Sequence, residues 1–138
     1  METKVSTIMT PIVISADMQD TVEKVEHILY SHKLSAVPVI DSGGDPPKNE
    51  CFGIINPAEL ALFHEMKRNP KAVRAWEMCL HKPVEISPDM TVRDAAHIMV
   101  LQGIHHLVVT DHKSVKGFVS SLDLLKEYFL KTPQVTPG

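Results

Sequence analysis

TVEKVEHILYSHKLSAVPVID, residues 21–41, aligns without gaps on TVRDAAHIMVLQGIHHLVVTD, residues 91–111. The pairs Thr21/Thr91, Val22/Val92, His27/His97, Ile28/Ile98, Val39/Val109 and Asp41/Asp111 are identical, and most other apolar positions match in kind. The match extends outward with small shifts. Upstream, Ile12-Val13-Ile14-Ser15-x-Asp17 answers Val84-Glu85-Ile86-Ser87-x-Asp89. Downstream, GIINPAEL from Gly53 answers GFVSSLDL from Gly117. Between Asp41 and Gly53 the first copy carries six extra residues, which lie in SGGDPPKNE, residues 42–50, whose Gly, Pro and Asp content marks a surface turn. The chain is a duplication. Two units are too few for a solenoid, which needs at least about three, so two halves packed face to face is the simpler architecture. Repeat 1 is drawn at residues 1–62, a linker at 63–74, repeat 2 at 75–131 and a tail at 132–138.

Each copy follows the order β-α-β-β-α. A β-branched run opens it, at Ile12–Ile14 and at Val84–Ile86. A helix follows. In the first copy Asp20 and Glu23 have capping-box spacing, with Val22, Val25, Ile28 and Leu29 as the apolar stripe; in the second, Thr91 and Asp94 precede Val92, Ala95, Ala96 and Met99. Gly103 suits a left-handed helix end, and Lys33 stands in the same place in the first copy. Strands are expected at Ala36–Ile40 with Cys51–Ile55, and at His106–Thr110 with Lys116–Val119. Closing helices start at Pro57 and Ser121, and Asn69 before Pro70 predicts a further helix in the linker. The fold class is α+β, an α/β-type sandwich of helices against small sheets.

The strongest chemical signal lies at the head of each closing helix. Ser120 stands three residues before Asp123, and Asn56 three before Glu59. This is N-cap spacing, and capping is the ordinary explanation. A helix N-terminus also suits a phosphate, and a carboxylate there can accept hydrogen bonds from ribose hydroxyls. The combination fits a nucleotide better than it fits catalysis.

With these residues the chain resembles a tandem pair of cystathionine-β-synthase-type (CBS) domains, a Bateman module. The resemblance is carried by Ile8-Met9-Thr10-Pro11, by Ile14-Ser15-x-Asp17 and Ile86-Ser87-Pro88-Asp89, by Val37-Pro38-Val39-Ile40-Asp41 and Leu107-Val108-Val109-Thr110-Asp111, and by Gly117 to Asp123. It covers roughly residues 3–130. The resemblance implies two repeats related by a pseudo-twofold axis, with two clefts for AMP, ADP, ATP or S-adenosylmethionine. It implies Asp123 on the ribose, Ser120 near phosphate or ribose, and a base slot at Lys82, Pro83, Val84, Ile104, His105, His106 and Leu107. A weaker second cleft would use Thr10, Ile12, Val13, Ala36, Val37, Pro38, Asn56 and Glu59, where Asn and Glu replace the usual Ser/Thr and Asp. His81-Lys82-Pro83 and Val108 depart from the pattern in the second copy. The resemblance also implies a flat homodimer through the helices and an unidentified protein target in trans.

On that reading the protein is a regulatory, energy-sensing module, not an enzyme, with an adenosine nucleotide as regulatory ligand and no required cofactor. Two rivals stand beside it: an interaction module with vestigial clefts, and a small enzyme using metal, His or Cys79. The eight histidines show no HExxH pattern, and adjacent His105 and His106 on a strand point to opposite faces, so no metal site is expected. A net charge of −3, from 14 basic and 17 acidic residues, argues against a nucleic-acid partner. No apolar run approaches the ~20 residues of a membrane span, and METKVSTIMTPIVISADMQD lacks the apolar core of a signal peptide. The expected location is cytoplasmic, with Cys51 and Cys79 reduced.

Overall fold

The computed structural model describes residues 3–11, 14–79 and 82–130. Its elements in chain order are α1 (Val5–Ile8), β1 (Thr10–Pro11), β2 (Ala16–Asp17), α2 (Val22–Ser31), β3 (Val37–Asp41), β4 (Glu50–Ile55), α3 (Pro57–Glu65), α4 (Ala75–Met78), β5 (Glu85–Ile86), α5 (Val92–Gln102), β6 (His106–Asp111), β7 (Ser114–Ser120) and α6 (Ser121–Leu130). The protein is α+β, with two small sheets.

The helices begin where a hydroxyl can satisfy a free amide. Thr21 Oγ1 accepts from the Lys24 amide at 3.2 Å, and Thr91 Oγ1 from the Asp94 amide at 3.1 Å. The cap of α2 is therefore Thr21 and not Asp20, because the Asp20 carboxylate is turned back to the Asp17 amide at 2.8 Å. The duplication persists in the packing. Residues 21–33 and 91–103 show the same position-by-position pattern of buried and exposed side chains. Gly103 ends α5 in the left-handed conformation at φ 64°, and Lys33 adopts it too, at φ 52°.

The chain divides into two compact units, Ile12–Pro83 and Met1–Pro11 with Val84–Gly138. In the first unit β2 runs parallel to β3 and β3 antiparallel to β4. Val22, Val25 and Leu29 of α2, Val37 and Val39 of β3, Ile55, and Leu60 and Phe63 of α3 form its core. In the other unit the sheet order is β1-β7-β6-β5, with β5 parallel to β6 and the other pairs antiparallel. Its core joins Val5, Ile86, Ala95, Met99, Leu107, Val109 and Val119.

Compact units and sequence repeats divide the chain differently, because each repeat's leading segment docks on the other repeat. Val92 N donates to Thr3 O at 2.7 Å and Val5 N to Met90 O at 2.8 Å, which fixes residues 3–8 to the head of α5. Seventy residues on, Val22 N donates to Val73 O at 2.9 Å and Ala75 N to Asp20 O at 2.7 Å, which fixes the segment before repeat 2 to the head of α2. Behind its docked segment, β1 lies against β7, so Gly117 must stay bare. A Cβ there would stand 2.7 Å from Thr10 O and 2.8 Å from Met9 Sδ.

Three local expectations are corrected. The opening strand of repeat 1 falls at Ala16–Asp17, with Ile14 in a bend; Ile12 and Val13 lie outside the described residues, as does His81. The strand at Val84–Ile86 is shortened to Glu85–Ile86. No helix starts at Asn69, whose side chain accepts from the Lys71 amide at 3.0 Å and closes a turn. The short helix starts at Ala75, where the Arg74 amide donates to Glu77 Oε2 at 2.7 Å.

Candidate functional site

β7 ends and α6 begins between Ser120 and Ser121, and this junction organises the site. The Ser120 amide donates to Asp123 Oδ2 at 2.8 Å, while the Asp123 amide donates to Ser120 Oγ at 3.1 Å. This is a reciprocal capping box. It engages one carboxylate oxygen and uses the hydroxyl as acceptor, so the second oxygen and the hydroxyl proton retain bonding capacity. Both residues are half-buried.

β6 supplies the opposite wall. His106 pairs across the ladder with Ser120, and the Ser121 amide donates to His105 O at 2.8 Å. The His106 ring stacks on Phe118, with centroids 5.6 Å apart and planes 14° from parallel. Burial pushes the His106 pKa down, His105 adds to the effect, and the Asp123 charge opposes it. The Val108 amide donates to Val84 O at 3.0 Å, which holds Val84 alongside. Val84, His105, His106, Ser120 and Asp123 are thus brought together within one unit.

The remaining candidates are placed differently. Leu107 is fully buried in the core, and Ile104 packs on the same core behind the end of α5. Lys82 is exposed and Pro83 half-buried, both at the end of the other unit. In repeat 1, Asn56 and Glu59 form the equivalent box: the Asn56 amide donates to Glu59 Oε1 at 3.1 Å and the Glu59 amide to Asn56 Oδ1 at 2.8 Å. Ala36, Val37 and Pro38 are buried near it in the chain order of that unit. Thr10, grouped with them in sequence, sits opposite Phe118 in the other unit. Phe118 itself was not among the sequence candidates. Strand alternation was the available signal, since Phe118 and Ser120 fall on one face of β7.

Cys79 is a poor nucleophile. Burial, with the Glu59 carboxylate adding to it, pushes its thiol pKa up to about 12, so almost none is thiolate at neutral pH. Among the described residues no group of three or more His, Cys, Asp or Glu side chains could hold a metal ion. Nor is any described helix long and apolar enough to cross a membrane.

The CBS domain family model matches residues 5–62 and 75–129. The chain belongs to the CBS domain family. A relative in sequence, uncharacterized protein MJ1404 of Methanocaldococcus jannaschii, is 25% identical over 133 residues, covering 91% of this chain and 32% of that protein. The chain therefore spans about a third of that relative's length. Among solved structures, the CBS domain of a bacterial CNNM/CorC family Mg2+ transporter in complex with ATP superposes with a TM-score of 0.78 at 22% identity, covering 91% of this chain and 87% of that one. CBSX2 in complex with AMP superposes with a TM-score of 0.79 at 18% identity, covering 95% and 99%. At these identities the likeness is one of fold.

Proposed function

We propose that this CBS pair is a regulatory module that binds an adenosine nucleotide at the head of α6 and signals to a protein partner in trans. The observation that carries the reading is the Ser120–Asp123 pair at an α6 N-terminus beside the stacked His106 and Phe118 rings. The amides and positive end of the helix suit a phosphate, the carboxylate suits vicinal ribose hydroxyls, and the aromatic pair suits a planar base. The ATP and AMP complexes of its fold neighbours support the same class of ligand. AMP, ADP, ATP and S-adenosylmethionine are the compounds to try. Repeat 2 is the preferred site, because Glu59 is one methylene longer than Asp123. The module has no catalytic role in this reading, and it acts as a pair of copies inside the cytoplasm.

A purely protein-binding module is the second reading. It is favoured by one observation: both boxes already satisfy their own helix heads. Equilibrium titration with the four compounds separates the two. Saturable binding by at least one, weakened at least tenfold in Asp123→Asn, supports the nucleotide module; no binding by any of them favours the interaction module.

A further inference from the structure

The unit Ile12–Pro83 holds a cavity of about 170 Å³ bordered by α3 and α4. Its apolar lining is Leu62 and Phe63 of α3, Met66 just past the end of that helix, and Met78 of α4. Three charged side chains complete the wall: Glu59, Glu77 and Arg68. A dry cavity of about 150 Å³ is enough for a benzene molecule, so this space suits a single aliphatic or aromatic side chain.

Each charged group is held where it is. Glu59 Oε1 accepts from the Asn56 amide at 3.1 Å, and Glu77 Oε2 from the Arg74 amide at 2.7 Å, which fixes one carboxylate at the head of α3 and one on α4. Burial first, and the Glu59 charge second, raise the pKa of the Cys79 thiol next to Met78, so the Glu59 carboxylate is felt on the α4 side. Lys67 is left-handed at φ 56° and turns the chain as α3 ends. The Arg68 guanidinium thereby returns over the Phe63 ring, 5.4 Å from its centroid, in a cation–π contact. Repeat 2 has kept the helices and not this lining. In the register that aligns Asp123 with Glu59, Lys126 and Glu127 answer Leu62 and Phe63, and seventy residues before Glu77 stands Thr7.

The mixture of charges selects the ligand. A simple anion would meet two carboxylates, and a simple amine would meet a guanidinium. A molecule with both signs and a small apolar body satisfies all three groups and the floor beneath them. The guanidinium fork matches a carboxylate, and an ammonium offers three donors to a pair of carboxylates. We propose that this cavity binds a free α-amino acid with an apolar side chain, its carboxylate on Arg68, its ammonium at Glu59 and Glu77, and its side chain among Phe63, Met66 and Met78. The module then has a second small-molecule input, in repeat 1, that does not depend on the nucleotide reading at the head of α6.

The test is isothermal titration calorimetry of the full chain, without nucleotide, against L-leucine, L-methionine and L-phenylalanine. Saturable binding of at least one, with one site per chain, is expected, and none for glycine. The amide and the N-acetyl derivative of that amino acid, each lacking one charge, are expected to bind at least tenfold more weakly. Arg68→Gln and Glu77→Gln are expected to weaken the amino acid at least tenfold, with Arg68→Lys retaining more affinity than Arg68→Gln. Both positions are exposed, and the glutamine keeps an oxygen for the Arg74 amide, so the urea midpoints should not move. Glu127→Gln, the repeat 2 control, should bind as wild type does. No binding by any of the three amino acids, equal binding of the amide or the N-acetyl derivative, or full affinity in Arg68→Gln and Glu77→Gln would overturn the site. None of these results alters the nucleotide titration of Asp123→Asn, so the two readings fail separately.

Discussion

The Ser120 and Asp123 main chains and side chains hold each other, amide to carboxylate at 2.8 Å and amide to hydroxyl at 3.1 Å. That reciprocity gives the pair a structural duty separable from any ligand. Ser120→Ala is expected to cost about 1 kcal/mol of unfolding free energy by urea denaturation, the usual loss for an N-cap. Asp123→Asn keeps a carbonyl oxygen for the Ser120 amide, so its cost should be smaller. The reverse order would mean that the carboxylate charge, and not the cap, dominates at this helix end.

Lys33 and Gly103 occupy the same left-handed position at the ends of α2 and α5. A side chain in that conformation costs about 1–2 kcal/mol, partly offset by the greater freedom that glycine has in the unfolded chain. Lys33→Gly is therefore expected to raise stability by about 0.5–1 kcal/mol, and Gly103→Ala to lower it by about 1 kcal/mol. Thermal unfolding of the two variants should move in opposite directions; a shift of the same sign in both would contradict the assignment.

The fold was legible where a periodic signal was long. The stripes of α2 and α5 and the starts of α3 and α6 at Pro57 and Ser121 are as the spacing implies. What escaped was decided by contacts distant in sequence. Nothing local says that Val5 packs into the core of repeat 2, or that Ala75 bonds back to Asp20. The cap of α2 was misplaced by one residue because Asp20 and Thr21 are both good caps, and the Asp17 amide takes Asp20 away. Asn69-Pro70 is a fair helix start, but the Asn69 side chain closes a turn instead. In the site, Ser120 and Asp123 were visible as a spacing. Phe118 was not, because its meaning depends on which strand lies beside it.

His106 is held neutral by its surroundings, chiefly by burial. Its folded pKa lies below the unfolded value of about 6.5. The unfolded chain therefore binds the proton more tightly, and the stability present above about pH 6.5 is lost as pH falls through the folded pKa. His106→Gln should flatten this part of the profile. Urea midpoints of both proteins between pH 7.5 and 5 test it, and parallel profiles would contradict the burial of His106 beside Phe118.

Cys79 should resist thiol reagents in the folded protein. With its pKa at about 12, modification at pH 8 should run orders of magnitude slower than for an unfolded cysteine, and denaturant should restore the ordinary rate. Rapid labelling of Cys79 in the native state would reopen its candidacy as a nucleophile.

The central claim is most directly tested by thermal unfolding of wild type and Asp123→Asn with and without saturating AMP, ADP, ATP and S-adenosylmethionine. A ligand at about a hundred times its dissociation constant adds about 2.7 kcal/mol of stability, a midpoint rise of roughly 10 °C for a chain of this size. The expected result is such a rise for at least one compound in the wild type and its loss in Asp123→Asn. A wild type that none of the four compounds shifts, or a variant shifted as far as the wild type, would contradict a nucleotide site at the head of α6.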